Sequence, residues 1–113
     1  MDCLFCKIIN GEIPSKKVYE DEQVYAFYDI NPMAPVHVLI IPKQHIDSMN
    51  GITADNSAVI AHIYEVAAKL AQELGIADSG YRVVSNCGAD AGQTVFHLHF
   101  HLLGGKKLNV EMC

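Results

Sequence analysis

The chain has 113 residues, room for one small domain with one core. Its 8 Lys and Arg against 13 Asp and Glu leave a formal charge of −5, which excludes a protein that grips nucleic acid backbones but not a locally built site for one small anion. Half the residues are hydrophobic, which excludes disorder over the whole, and no run approaches the roughly 18 apolar residues of a membrane helix.

Met1-Asp2-Cys3 carries no basic segment followed by a hydrophobic one, so no secretory signal is read. The four cysteines, Cys3, Cys6, Cys87 and Cys113, are too sparse and uneven for the framework of a small secreted domain, and a reducing, cytoplasmic setting is expected.

In chain order, Leu4 to Asn10 reads as a short helical turn ended by Gly11 and Pro14. Val18 to Glu20 is a brief strand, and Gln23 to Ile30, rich in β-branched and aromatic residues, a firmer one. Asn31 to Pro35 is a turn, and Val36 to Ile41 a strand stopped by Pro42. Between Thr53 and Leu74, apolar residues recur at three- and four-residue steps, from Val59 and Ile60 through Ile63, Val66 and Ala67 to Leu70. That spacing marks one face of an amphipathic helix, with Thr53 as N-cap and Gly75 at its C-terminal end. Tyr81 to Asn86 is a further strand, a glycine-containing loop follows, and Phe96 to Leu103 is the last strand. Strands joined only by the Pro32–Pro35 turn pair antiparallel, because a parallel pair needs a long crossover. The expected class is α+β, about five strands with one long and one short helix, in a single domain over residues 1–113.

Phe96-His97-Leu98-His99-Phe100-His101-Leu102 carries most of the chemistry. Side chains of a strand alternate between faces, so Phe96, Leu98, Phe100 and Leu102 share the core side and His97, His99 and His101 the other, roughly 6.6 Å apart. Each imidazole can donate, accept, attack or bind metal near neutral pH. A solvated strand face is the bland alternative, a metal held by two or three of the histidines another. Nucleophilic or acid–base chemistry is preferred, because redox-type sites of that kind often add a carboxylate and the nearest one upstream, Asp90, lies across the loop. In Asn86 to Thr94, Gly88 and Gly92 permit close approach of main-chain N–H groups to an anion, and Gln93 and Thr94 add side-chain donors.

His97-Leu98-His99-Phe100-His101-Leu102-Leu103 resembles the histidine triad (HIT) signature at every position. The resemblance extends over Phe5 to Pro14, Asp29 to His45 and Asn86 to Gly105, and Gly104-Gly105 is similar to the branch of histidine triad nucleotide-binding proteins. It implies a five-stranded antiparallel sheet that dimerises into a continuous sheet, with the Tyr64 helix at the interface, and hydrolysis of purine nucleoside phosphoramidates or related nucleoside monophosphate conjugates. His99 would attack the α-phosphorus, His101 would protonate the leaving amine, and His37 would complete the site. Asp29 would hold the ribose hydroxyls, Asn86, Gly92, Gln93 and Thr94 the phosphate, and Phe5, Ile8, Ile13, Phe27 and Ile30 the base, although a plain core role fits those five equally. Val110-Glu111-Met112-Cys113 stands where better-known members end in a Trp-Pro-Pro-Gly-like segment, so their leaving-group preference does not carry over.

Cys3-Leu4-Phe5-Cys6 is a CxxC pair with no preceding strand, unlike a redox motif. As half a zinc site it needs two more ligands; bacterial HIT relatives that look similar imply His45 and His97, a closed and structural Cys2His2 set. Two unliganded thiols are the alternative. Beside the hydrolase stand three other functions: a nucleotide-binding interaction protein with incidental hydrolysis, a dinucleoside polyphosphate hydrolase, and a hydrolase with zinc at the triad.

Overall fold

The computed structural model describes residues 2–111; Met1, Met112 and Cys113 lie outside them. Helix α1 spans Leu4–Ile9 and is N-capped by the Cys3 sulfur, which accepts from the Cys6 N–H at 3.3 Å. Strands β1 (Lys17–Glu20), β2 (Val24–Tyr28) and β3 (Val36–Pro42) follow, then helix α2 (Ala58–Glu73), β4 (Tyr81–Val84) and β5 (Phe100–Gly104). They form one antiparallel sheet in the order β1-β2-β3-β5-β4. Among the described residues no helix is long and apolar enough to cross a membrane.

Both faces of the sheet are covered. Val24, Ala26, Val38, Ile40, Phe100 and Leu102 pack against Ile63, Val66, Ala67, Leu70 and Ala71 of α2. On the opposite face Tyr25, Phe27, Leu39 and Ile41 pack against Phe5 and Ile8 of α1. This double burial explains the apolar run from Val38 to Ile41, where a one-sided sheet would alternate. The N-terminal half of α2 is tied to the β1–β2 turn by His62 Nε2, 2.6 Å from the Asp21 carboxylate, which raises the His62 pKa.

Several expected boundaries shift, and the strand read as Gln23 to Ile30 spans only Val24–Tyr28. Ser57, not Thr53, precedes α2; the Thr53 hydroxyl instead accepts from the Asp55 N–H in a preceding turn. The strand read as Tyr81 to Asn86 ends at Val84. The strand read from Phe96 begins only at Phe100, and Phe96 is 54% exposed rather than in the core. The Leu98 N–H bonds the Ile46 carbonyl at 2.6 Å, so residues 96–99 follow the β3–α2 loop instead of the ladder.

Gly104 lies where β5 passes Ile76. A Cβ there would sit 2.7 Å from Ile76 Cδ1 and 3.1 Å from its Cβ, and Ile76 is itself buried. Overpacking of that kind costs about 1–3 kcal/mol. Gly104→Ala is expected to lower the urea midpoint accordingly with an unchanged slope, read by circular dichroism.

Candidate functional site

The three histidines of the HxHxH segment occupy different environments. His97 is fully buried and His99 8% exposed, because α1 roofs this side of the sheet; Phe5 meets the His99 ring edge-to-face at 5.1 Å and the His97 ring at 5.9 Å. His101, in register with Leu39 of β3, is half-buried and reaches His37 on the same face. The imidazoles form a sheltered row rather than an open surface.

Hydrogen bonds assign the tautomers. His99 Nδ1 lies 2.7 Å from the His97 carbonyl, which can only accept, so Nδ1 carries the proton and Nε2 keeps a free lone pair. His37 Nδ1 accepts from the Met33 N–H at 3.0 Å, which leaves its Nε2–H to donate to His101 Nδ1 at 2.9 Å. His101 then presents an N–H at Nε2. Burial chiefly, and the neighbouring His99 and His37, push the His101 pKa down to about 4, and burial lowers that of His37 against the pull of Asp29. Both rings are neutral at pH 7.

Asp29 stands at the end of β2. One carboxylate oxygen accepts from the Asn31 N–H at 2.8 Å and closes the turn; the other lies 3.5 Å from His37 Nε2. Asp29, Ile30 and His37 line a cleft of about 620 Å³ together with Pro14, Ser15, Lys16, Tyr28, Pro32 and Pro35. The residues expected at the base separate here. Ile30 is 90% exposed at the cleft, Ile13 is half-buried, and Phe5, Ile8 and Phe27 are buried against one another in the second core.

The loop after β4 approaches the same row. Asn86 is half-buried, Gly92 and Thr94 are exposed, and the Ser85 hydroxyl donates to the His99 carbonyl at 3.0 Å. Gln93 is buried and its amide is spent on main-chain partners: Oε1 accepts from the Gly88 N–H, and Nε2 donates to the carbonyls of Asp47 and Val95.

At the far end of the row, the side chains of Cys3, Cys6, His45 and His97 converge, with ligand atoms all within 4.8 Å of one another. His97 Nδ1 lies 3.4 Å from the Cys3 sulfur, 3.6 Å from that of Cys6 and 3.2 Å from His45 Nδ1. Each ring has its other nitrogen occupied: His97 Nε2–H donates to the Pro42 carbonyl at 2.8 Å, and His45 Nε2 pairs with the Asp47 carboxylate at 2.6 Å. Asp47 was not expected from the sequence; its one signal is an acid two residues after a candidate ligand, a spacing too common to single it out.

The HIT domain profile matches residues 10–108. The purine nucleoside phosphoramidase of Escherichia coli K12 is 47% identical over 107 residues, covering 95% of this chain and 90% of that protein. A HIT family hydrolase from Clostridium thermocellum is 54% identical and superposes with a TM-score of 0.96 over 99% of this chain and 97% of its own. A histidine triad nucleotide-binding protein from Candida albicans, 41% identical, superposes with a TM-score of 0.87 over 99% of this chain and 83% of its own. A matching profile over most of the chain, close relatives along nearly its whole length and the paired imidazoles agree: the chain belongs to the HIT family.

Proposed function

We propose that the protein hydrolyses purine nucleoside phosphoramidates, or related nucleoside monophosphate conjugates, through a nucleotidyl intermediate on His99. The observation that carries this reading is the His99 ring, its Nδ1–H fixed on the His97 carbonyl and its Nε2 lone pair free beside the His101–His37 pair. The activity named for the E. coli relative supports the substrate class.

His99 Nε2 attacks phosphorus while the P–N bond to the leaving amine breaks. The ring becomes a cation, and the His97 carbonyl already faces its Nδ1–H. The amine leaves with a proton from His101; negative charge on the arriving phosphate favours the protonated form of a ring that is neutral at rest. His101, now neutral, takes a proton from the attacking water as the bond from phosphorus to His99 breaks, which releases the nucleoside monophosphate and restores His99. The covalent intermediate divides one hard displacement into two. In this reading Asp29 accepts from the ribose hydroxyls in the cleft, Ile30 borders the base, and Asn86, Gly92 and Thr94 hold the phosphate.

We further propose that Cys3, Cys6, His45 and His97 hold one zinc ion. Two imidazole nitrogens, each with its ring proton committed elsewhere, face each other at 3.2 Å. Facing lone pairs repel unless a cation lies between them, and Asp47 and Pro42 are the outer partners that orient metal-bound histidines. The sulfur and nitrogen donors suit zinc, and four protein ligands leave no open position, so the ion would anchor α1 rather than react. A homodimer with a continuous sheet completes the proposal; Tyr64, 52% exposed on α2, is available to it.

His99→Ala is expected to lower turnover of an adenosine phosphoramidate by on the order of 10³-fold or more while nucleotide binding persists. Wild-type turnover in that variant removes His99 from the mechanism.

Metal analysis of the purified chain should find about one zinc per chain. Cys3→Ser should lose it and melt at lower temperature, whereas metal-free protein of undiminished stability defeats the assignment.

A histidine whose folded pKa lies below its unfolded value of about 6.5 contributes stability above that pH, and the contribution is lost as pH falls through the folded value. For His101 the window runs from about 6.5 down to about 4. Urea midpoints of the wild type should therefore fall across that window more steeply than those of His101→Asn; parallel curves would contradict the pKa assignment.

A further inference from the structure

We propose that Gln93 is a positioning residue, which clamps the phosphate loop to the segment that carries His45 and Asp47 without touching substrate. The inference rests on the reading of residues 86–94 as the phosphate loop. A glutamine amide has two N–H donors and one carbonyl. Both donors are used, on the Asp47 carbonyl at 2.9 Å and the Val95 carbonyl at 3.0 Å, and Oε1 accepts from the Gly88 N–H at 2.9 Å. The side chain is 5% exposed, so water does not substitute for a lost partner. No N–H remains to aim at an anion.

The partners show what the clamp holds. Gly88 and Gly92 flank a short 3-10 turn, both at φ 85°, and the Gln93 N–H also returns to the Gly88 carbonyl at 3.1 Å. Main chain and side chain of one residue thus close the loop into a ring. Beyond the ring, the amide seizes Asp47, whose carboxylate orients His45. The same two segments meet again where the Leu98 N–H bonds the Ile46 carbonyl. A displaced Gln93 would free the phosphate loop and unsettle the support of a metal ligand together, which neither a phosphate ligand nor a simple turn residue would do.

The test uses the full-length, zinc-loaded chain and two variants. Gln93→Leu removes all three bonds; Gln93→Glu keeps an acceptor for Gly88 but sets a carboxylate oxygen against two carbonyls. In Gln93→Leu, amide exchange at Gly88 should accelerate about tenfold, the scale set by one lost hydrogen bond. Zinc transfer to a chromogenic chelator should accelerate by about tenfold, the low end of what loss of outer-shell support costs. kcat should fall while affinity for uncharged adenosine stays unchanged. Gln93→Glu should keep Gly88 slow yet release zinc faster, which also serves should the leucine variant not fold. Unchanged Gly88 exchange and zinc release with weakened binding of adenosine monophosphate would make Gln93 a direct phosphate ligand and overturn the proposal. A wild-type chain without turnover would sink the enzymatic reading, while faster exchange at Gly88 in the variant would still support the clamp.

Discussion

The main-chain carbonyl of His97 joins the two chemistries of this protein. It holds the Nδ1 proton of His99, and the imidazole of the same residue lies between the two sulfurs and His45. A neutral imidazole has one proton and two nitrogens, so whichever nitrogen is bonded to an obligate acceptor leaves the other with its lone pair free. Among the described residues the His97 carbonyl is the hydrogen-bond partner that makes that choice for His99. The carbonyl can make it because residues 96–99 leave the ladder: in a continued strand β5 the His97 carbonyl would point toward a neighbouring strand instead of toward a side chain two residues ahead.

The environment of the row depends in turn on burial of both faces of the sheet. The α2 face holds Leu98, Phe100 and Leu102, so the histidines at the intervening positions turn to the other side. There Phe5 of α1 covers His97 and His99, and burial lowers the pKa values of His97 and His101. The same burial makes His37 useful, since a neutral His37 that accepts at Nδ1 must donate at Nε2 and thereby sets the tautomer of His101. Burial keeps His101 neutral at rest, and an arriving phosphate would favour the protonated form that an acid needs.

Much of this was legible in the amino-acid pattern. Period-two alternation from Leu98 to Leu102 separates core from chemistry, the three- and four-residue steps mark α2, and the Asn31–Pro35 turn forces β2 and β3 to be antiparallel. What was hidden is hidden for physical reasons. Phe96 continues the alternation in letters but not in space, because a hydrogen bond from Leu98 to the distant Ile46 overrides local propensity. Phe5, Ile8 and Phe27 have the same apolar character whether they line a slot or fill a core, and the structure seats them in the core. Gln93 looks like a free donor until its three partners, up to 46 residues away, are known. Asp47 and the Met33 N–H act through geometry that no spacing encodes.

The six-residue α1 cannot owe its place to its own helicity, since isolated helices well under a dozen residues do not persist in water. Its apolar contacts, Phe5 and Ile8 on Phe27, Leu39 and Ile41, supply one anchor. The other is at its N-terminus, where the Cys3 sulfur both caps the helix and joins the donor cluster. Phe5, between the two cysteines, is the residue that lies against His99. Burial and the adjacent Cys3 raise the pKa of the Cys6 thiol, a direction that a coordinated cation reverses. An ion in that cluster would therefore reach the His99 ring by two routes, through the roof that α1 forms and through the His97 main chain. A closed four-ligand centre there would be structural in its coordination, yet what it would structure is the orientation of the His99 ring.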